Sequence, residues 1–238
     1  MLSIRKGLIR FLIGSFMVKN IIKIVKGNQF TLDSDLSHFD VILLALRYFI
    51  MLLRGLIFLR RKVFLGCAVK ISKKNNLQLG RWVKISDFVN IDALAKSPVL
   101  IGDNCSIGDY SRIECTGSVQ KVGLGFRMGA GSGIGAFSFV GAAGGVEIGE
   151  NVIMGQYVSF HSENHVFDKL DIPIKHQGVT NKGIKVGQDC WVGSKVTFLD
   201  GTIIGCGSVV AAGAVVSGVF PDNVIIGGVP ARIIKYRR

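Results

Sequence analysis

From Val186 to Val216 an aliphatic or aromatic residue falls on every sixth position (Val186, Val192, Phe198, Ile204, Val210, Val216), and Gly, Ser, Ala or Leu follows each one. A period of six fits neither the 3.6-residue turn of an amphipathic helix nor the two-residue alternation of a two-sided strand. The same beat runs through Leu79, Ile85 and Ile91, through Ile101, Ile107 and Ile113, and through Ile148, Met154 and Phe160. Self-similarity at a fixed period indicates a solenoid, and a period of six indicates a parallel β-helix. Each hexad is then one short strand and a turn. Its aliphatic residue points into a narrow core, and the small residue after it lets the chain turn where a Cβ would clash. Successive coils stack at about 4.8 Å, so their aliphatic side chains form ladders along the axis.

Charge divides the chain. Residues 1–74 carry 14 Lys plus Arg against 3 Asp plus Glu, a formal +11, whereas residues 75–238 carry 15 against 13, a formal +2. The expected domains are therefore a basic, apolar, helical segment over 1–74 and a β-helix over 75–238. Basic charge running along the repeat would favour nucleic acid. Confined to an apolar segment, it favours a membrane surface and gives no reason to expect nucleic acid. Val41–Leu59 is 19 residues long and mostly apolar, the length at which a spanning helix is considered. Arg47, Arg54 and Arg61 are seven apart and would share a helical stripe, and burying arginines in hydrocarbon is costly. A helix lying in or against the interface is therefore preferred to a spanning one. A second helix is expected over Leu8–Val25, with Lys19, Lys23 and Lys26 on one face. The alternative is that both helices pack on protein. Met1–Arg10 lacks a small-residue cleavage site at the usual distance from the apolar run and does not read as a signal peptide. The five cysteines form no CxxC pair and read as small buried hydrophobes of a reducing cytoplasm.

A repeat is structural by default, so chemistry is sought where the period fails. Gly123–Gly145 is glycine-dense and shifts the beat, since Ile148 follows Val140 by eight residues, but it lacks any phosphate-loop pattern and reads as tight turns. The second break is more informative. The beat Ile148, Met154, Phe160, Val166 is followed by Val186, which predicts a loop over 167–185. His161, His165 and His176 gather around it, three of the four histidines in the chain. Imidazole titrates near neutrality and suits general-base work, and a loop on a rigid scaffold is a common seat of function. Histidines hydrogen-bonded within the loop are the plain alternative. A zinc site would require further histidines on adjacent coils, which hold none, so no metal is expected.

These residues resemble the hexapeptide-repeat acyltransferases over roughly Leu79 to Lys235. The similarity is carried by Val186-Gly187-Gln188-Asp189-Cys190-Trp191-Val192-Gly193-Ser194, by Ile204 to Gly213, and by the ending Gly227-Gly228-Val229-Pro230-Ala231-Arg232. The chain looks closest to the galactoside, maltose and xenobiotic acetyltransferases and the bacterial polysaccharide O-acetyltransferases. That resemblance implies a mainly β fold, a left-handed parallel β-helix, assembled as a homotrimer with active sites between subunits. It implies acetyl-CoA as donor, with His165 matching the family's base. Trp191, Ser194, Ala212, Ser217, Arg232 and Lys235 match positions along the coenzyme channel. A lysine frequent in the family after Ser217 is Gly218 here, leaving Lys235 or Arg237 to meet that phosphate. The acceptor-side asparagine of the sugar enzymes has no counterpart, and residues 1–74 differ from the short helical cap of the soluble members.

The expected chemistry is direct transfer: His165 takes the proton of an acceptor hydroxyl as its oxygen attacks the thioester, with Glu163 or a backbone carbonyl orienting the imidazole. The expected enzyme is cytoplasmic, peripheral on the inner membrane through residues 1–62, and acts on a sugar or lipid-linked oligosaccharide of a capsule, O-antigen or exopolysaccharide. Competing readings are N-acetylation of a nucleotide-linked amino sugar and a non-catalytic trimeric platform.

Overall fold

The computed structural model describes Asp33, residues 35–118 and residues 120–238; the helix expected over Leu8–Val25 lies outside these. The chain divides into two compact units, Met1–Arg60 and Arg61–Arg238.

In the first unit, helix α1 spans His38–Arg54. Ser37 caps it: the Asp40 backbone N–H donates to the Ser37 hydroxyl, and the Asp40 carboxylate accepts from the Ser37 backbone N–H, a reciprocal pair that satisfies donors left open in the first turn. A π-helical turn over Gly55–Leu59 continues it, and Arg60, in the left-handed conformation, ends it. Phe39, Leu43, Leu46, Phe49, Ile57 and Phe58 are all exposed, so the helix is apolar around most of its circumference. Over His38–Leu59, 22 residues, it is long and apolar enough to cross a membrane by length and composition. Arg47 and Arg54 lie on α1, but Arg61 lies past its end, so the expected stripe of three arginines is a stripe of two.

The second unit cycles through three sheets. In one coil Ile153–Met154 belongs to the first sheet, Ser159–His161 to the second and Ile184–Val186 to the third. Neighbouring coils pair in parallel and in register, so that Ile113, Val140, Phe160, Phe198 and Val216 form one continuous ladder. All five are buried, and the Phe160 and Phe198 rings stack at 4.7 Å. This is the parallel β-helix expected from the beat of six. The last strand, Ala231–Tyr236, instead runs antiparallel to Val224–Gly228 and closes the first sheet.

The turns explain where the period holds and where it fails. Those from the first sheet to the second are 66–69, 86–89, 108–111, 135–138, 155–158, 193–196 and 211–214, always the same length; those from the third sheet to the first are also four residues, except the last, 221–223. Every other irregularity falls at the remaining corner, between the second and third sheets, in residues 93–98, 115–125 and 162–183. The constant corners admit little bulk: a Cβ on Gly135 would lie 2.2 Å from the Gly155 carbonyl oxygen in the next coil. At one of them Phe88, Tyr110, Phe137 and Tyr157 all take positive φ, near 58°, and stack outside the coil at 4.8, 5.0 and 5.2 Å. A left-handed non-glycine residue costs about 1–2 kcal/mol, and an aromatic pair contributes about 0.5–1.5 kcal/mol, so stacking offsets much of that strain.

Two boundaries differ from those expected. Phe64–Leu65 and Lys70–Ser72 are already coil strands, so the solenoid begins before residue 75; the beat Leu65, Ile71, Leu77 is present, but its lysines group it by charge with what precedes it. The chain leaves the coil after His161 and returns at Ile184, so Val166 is no ladder position and the loop runs over 162–183 instead of 167–185. Ser162 explains the early departure. It is buried, donates to the Gly141 carbonyl at 2.7 Å and accepts from Gly144 N–H at 2.9 Å, tying the corner to the coil before it.

Candidate active site

The long loop is braced along its length. Asn164 and His165 pair antiparallel with Thr180 and Val179, and Val166 N–H donates to Gly178. The Gln177 amide bridges the outer part, donating to the Lys169 and Ile172 carbonyls, each at 2.7 Å. On the return leg Lys182 and Gly183 N–H groups both donate to the Asp200 carboxylate at 2.8 Å. His165 is therefore an exposed imidazole on a small two-stranded ribbon, held at the corner between the second and third sheets.

His161 stands just below it on the outer face of the second sheet, its ring 5.7 Å from that of Phe139 in the preceding coil. Arg112 and Glu114, one coil further back, form an ion pair on the same face. Phe139, the Arg112–Glu114 pair and His161 make an aromatic and polar shelf beside the foot of the loop. A shelf of this kind suits the apolar face and hydroxyl rim of a sugar. Sequence reading missed Phe139 and Arg112 because they sit one residue before the ladder positions Val140 and Ile113; the outward-facing neighbours of the beat are the signal that would have found them. Glu163 is directed at the excursion two coils below, where a Cβ on Gly117 would lie 3.8 Å from its carboxylate oxygen. Among the described residues no hydrogen bond joins Glu163 to His165, so the expected orienting role finds no contact here. His176 lies in a separate 3₁₀ turn, and no cluster of three His, Cys, Asp or Glu side chains suited to a metal occurs among the described residues.

The residues matched to the coenzyme channel fall into two groups. Trp191 is exposed on the first sheet; its row continues across Val209 and Ile225 to Lys235 on the closing strand, with Arg232 nearby opposite Gly227. Ser194 and Ala212 occupy successive turns at the edge of that sheet. Lys235, Tyr236, Arg237 and Arg238 line a depression with Ile225, a concentration of positive charge suited to phosphates. Ser217 belongs elsewhere: it follows Val215–Val216 of the second sheet, at the same corner as His165 and two strands further along. That corner is opposite the first sheet, so a single chain keeps His165 apart from Trp191, Arg232 and Lys235.

The cysteines play no part in the shelf. Cys105, Cys115 and Cys190 are buried. Burial, with the Asp92 carboxylate adding to it, pushes the Cys115 thiol up to about 12, and burial also raises Cys105 and Cys190.

No family model matches the chain. Over 185 residues it is 30% identical to a protein assigned as an acetyltransferase in Mycobacterium tuberculosis, covering 78% of this chain and 51% of that one; the chain thus spans about half the length of this relative. It is 28% identical over 211 residues to the Escherichia coli K12 protein WbbJ, assigned to lipopolysaccharide biosynthesis as an O-acetyl transferase, covering 82% of this chain and 93% of that one. The galactoside O-acetyltransferase of E. coli K12 is 34% identical over 95 residues, which cover 38% and 43% of the two chains. Among solved structures, the Bacillus cereus N-acyltransferase AntD, in complex with dTDP and coenzyme A, superposes with a TM-score of 0.51 at 18% identity over 78% of this chain and 89% of its own, which places the two in one fold. With the six-residue beat and the three-sheet coil, the chain is similar in sequence to these acetyltransferases and resembles the hexapeptide-repeat acyltransferases.

Proposed function

We propose that the protein transfers an acetyl group from acetyl-CoA to a sugar hydroxyl of a bacterial cell-surface polysaccharide precursor, with His165 as general base. The observation that carries this reading is the placement of His165: an exposed imidazole on a braced loop that leaves the coil next to an aromatic and polar shelf. WbbJ, matched over 93% of its length, supplies the acceptor class.

His165 accepts the proton of the acceptor hydroxyl while that oxygen attacks the thioester carbonyl. The C–S bond then breaks, coenzyme A leaves as thiolate, and the proton held on the imidazole neutralises it, so no covalent enzyme intermediate is required. Trp191 lies against the coenzyme, and Arg232, Lys235 and Arg237 meet its phosphates. Because these residues and His165 occupy opposite sides of one coil, the complete site lies between copies, the first sheet of one facing the loop of the next; this favours a homotrimer. Holding both substrates in that cleft supplies a proximity effect worth up to about 7–11 kcal/mol. The exposed apolar helix α1 supports an attachment to a membrane, and on its cytoplasmic side the enzyme meets a lipid-linked acceptor.

The test is thiol release from acetyl-CoA by wild type and H165A, with free sugars, nucleotide sugars, nucleotide-linked amino sugars and a polyprenyl-linked oligosaccharide as acceptors. Release that needs both His165 and the polyprenyl-linked oligosaccharide supports the proposal. Release that survives H165A removes His165 as base, and preference for an amine acceptor replaces O- by N-acetylation.

A further inference from the structure

The cations of the solenoid are concentrated at its ends, with the larger excess at the amino-terminal one; at the other end residues 221–238 carry 4 Lys plus Arg against 1 Asp plus Glu, a formal +3, around the strand assigned above to the coenzyme phosphates. Residues 61–98 carry 8 Lys plus Arg against 2 Asp plus Glu, a formal +6, whereas residues 99–220 carry 8 against 10, a formal −2. Those at the amino-terminal end also spread around the coil, from the first sheet across the second to the corner before the third. Lys62 precedes the first strand of the first sheet, Lys70 lies on the second sheet, Lys73 and Lys74 begin the turn to the third, and Lys96 lies in the corresponding turn one coil on. All five are exposed, and among the described residues none makes an ion pair. Side chains spread around a rod within its first two coils lie close to one plane across its axis.

We propose that this basic band docks on the anionic headgroups of a phospholipid bilayer and stands the solenoid upright on it. Two facts favour lipid over other polyanions. The exposed apolar helix ends at Leu59, and only residues 60–63 separate it in sequence from the first strand, a span of at most about 14 Å. An apolar element followed at once by a cluster of Lys and Arg is the two-part signal of stable membrane attachment, in which each cation near an anionic surface adds to binding.

Upright docking sets a height. The strand holding Lys70 leads through Asn90, Arg112 and Phe139 to Ser159, four steps of the second sheet. At about 4.8 Å per step, the strand from which the His165 loop departs stands about 19 Å above the basic band. A hydroxyl on the sugar joined directly to a lipid carrier stays among the headgroups, below that level. The acceptor is therefore a lipid-linked oligosaccharide, modified on a sugar removed from the lipid. This last step rests on the acetyltransferase reading; the docking does not.

The test uses the full chain with vesicles of phosphatidylcholine alone or with phosphatidylglycerol added. Wild type is expected to bind the anionic vesicles at least tenfold more tightly, with the gain lost in high salt. The variant K70Q/K73Q/K74Q/K96Q is expected to lose that gain while binding neutral vesicles as before, and the Lys→Arg version to keep it. Equal binding of the Gln variant and wild type to anionic vesicles overturns the docking, as does binding confined to a soluble polyanionic polysaccharide. For the height, vesicle-held acceptors with the target sugar next to the lipid or several sugars away are compared with lipid-free versions of both. Acetylation of the distal target alone in vesicles, and of both when lipid-free, is expected; equal use of both in vesicles overturns the height. Failure of every acceptor overturns the acetyltransferase reading and the height that rests on it, and leaves the vesicle result to decide the docking.

Discussion

His161 and His165 are four residues apart, and the structure sets them on different elements. His165 lies on the loop ribbon and His161 on the outer face of a coil strand beside Phe139. H165A is expected to lower kcat by about 10²–10⁴, the usual contribution of a positioned general base. On the proposed reading, H161A and F139A are expected to raise the acceptor KM several-fold with kcat largely kept, since the shelf holds the sugar without moving its proton; steady-state kinetics at varied acceptor separates the two. At the same scale, the raised Cys115 thiol has a consequence for pH. A folded thiol held above its unfolded value keeps its proton in the native state, so its stabilising effect is full below about 9 and is lost as pH rises toward about 12. The urea midpoint is expected to fall across that alkaline range, and C115A to flatten the fall. The excursion that carries His165 was legible in the sequence because the beat fails there. Phe139 was not, because the beat marks inward positions, and nothing in one chain's periodicity ranks the outward ones.

Among elements, the ladders and constant corners carry stability while the irregular corner carries variation. Phe160 is fully buried against Phe198, so F160A is expected to cost about 3–5 kcal/mol in a urea titration. G135V meets the next coil's carbonyl and is expected to destabilise at least as much, because backbone must shift to admit it. Removing residues 167–177, by contrast, is expected to leave the unfolding transition nearly unchanged and abolish transfer, since Ser159–His161 and Ile184–Val186 keep their pairings to the adjacent coils without it. The strands were readable from their hexads. The loop's edges were not: Val166 continues the count of six, but buried Ser162, with its bonds to Gly141 and Gly144, turns the chain out first. A hydroxyl that fixes a corner through backbone contacts leaves no trace in hydrophobic periodicity.

At the scale of the whole molecule, each coil touches only its neighbours, so stability accumulates coil by coil. Composition placed the division of the chain at 74/75 because charge changes there, whereas contacts divide it at Arg60–Arg61. The first coil shares its lysines with the segment before it and its core with the coils after it. Packing, which charge does not report, decides where it belongs. The closing strand has a consequence of a different kind. A stack of parallel strands is open to indefinite growth, because each terminal strand offers the next one its unpaired edge. Ala231–Tyr236 folds back antiparallel across the end of the first sheet, so a further coil in the parallel sense finds that edge already taken. A chain ending at Gly228 would lose that stopper, and its solenoids are expected to join end to end into filaments visible by electron microscopy.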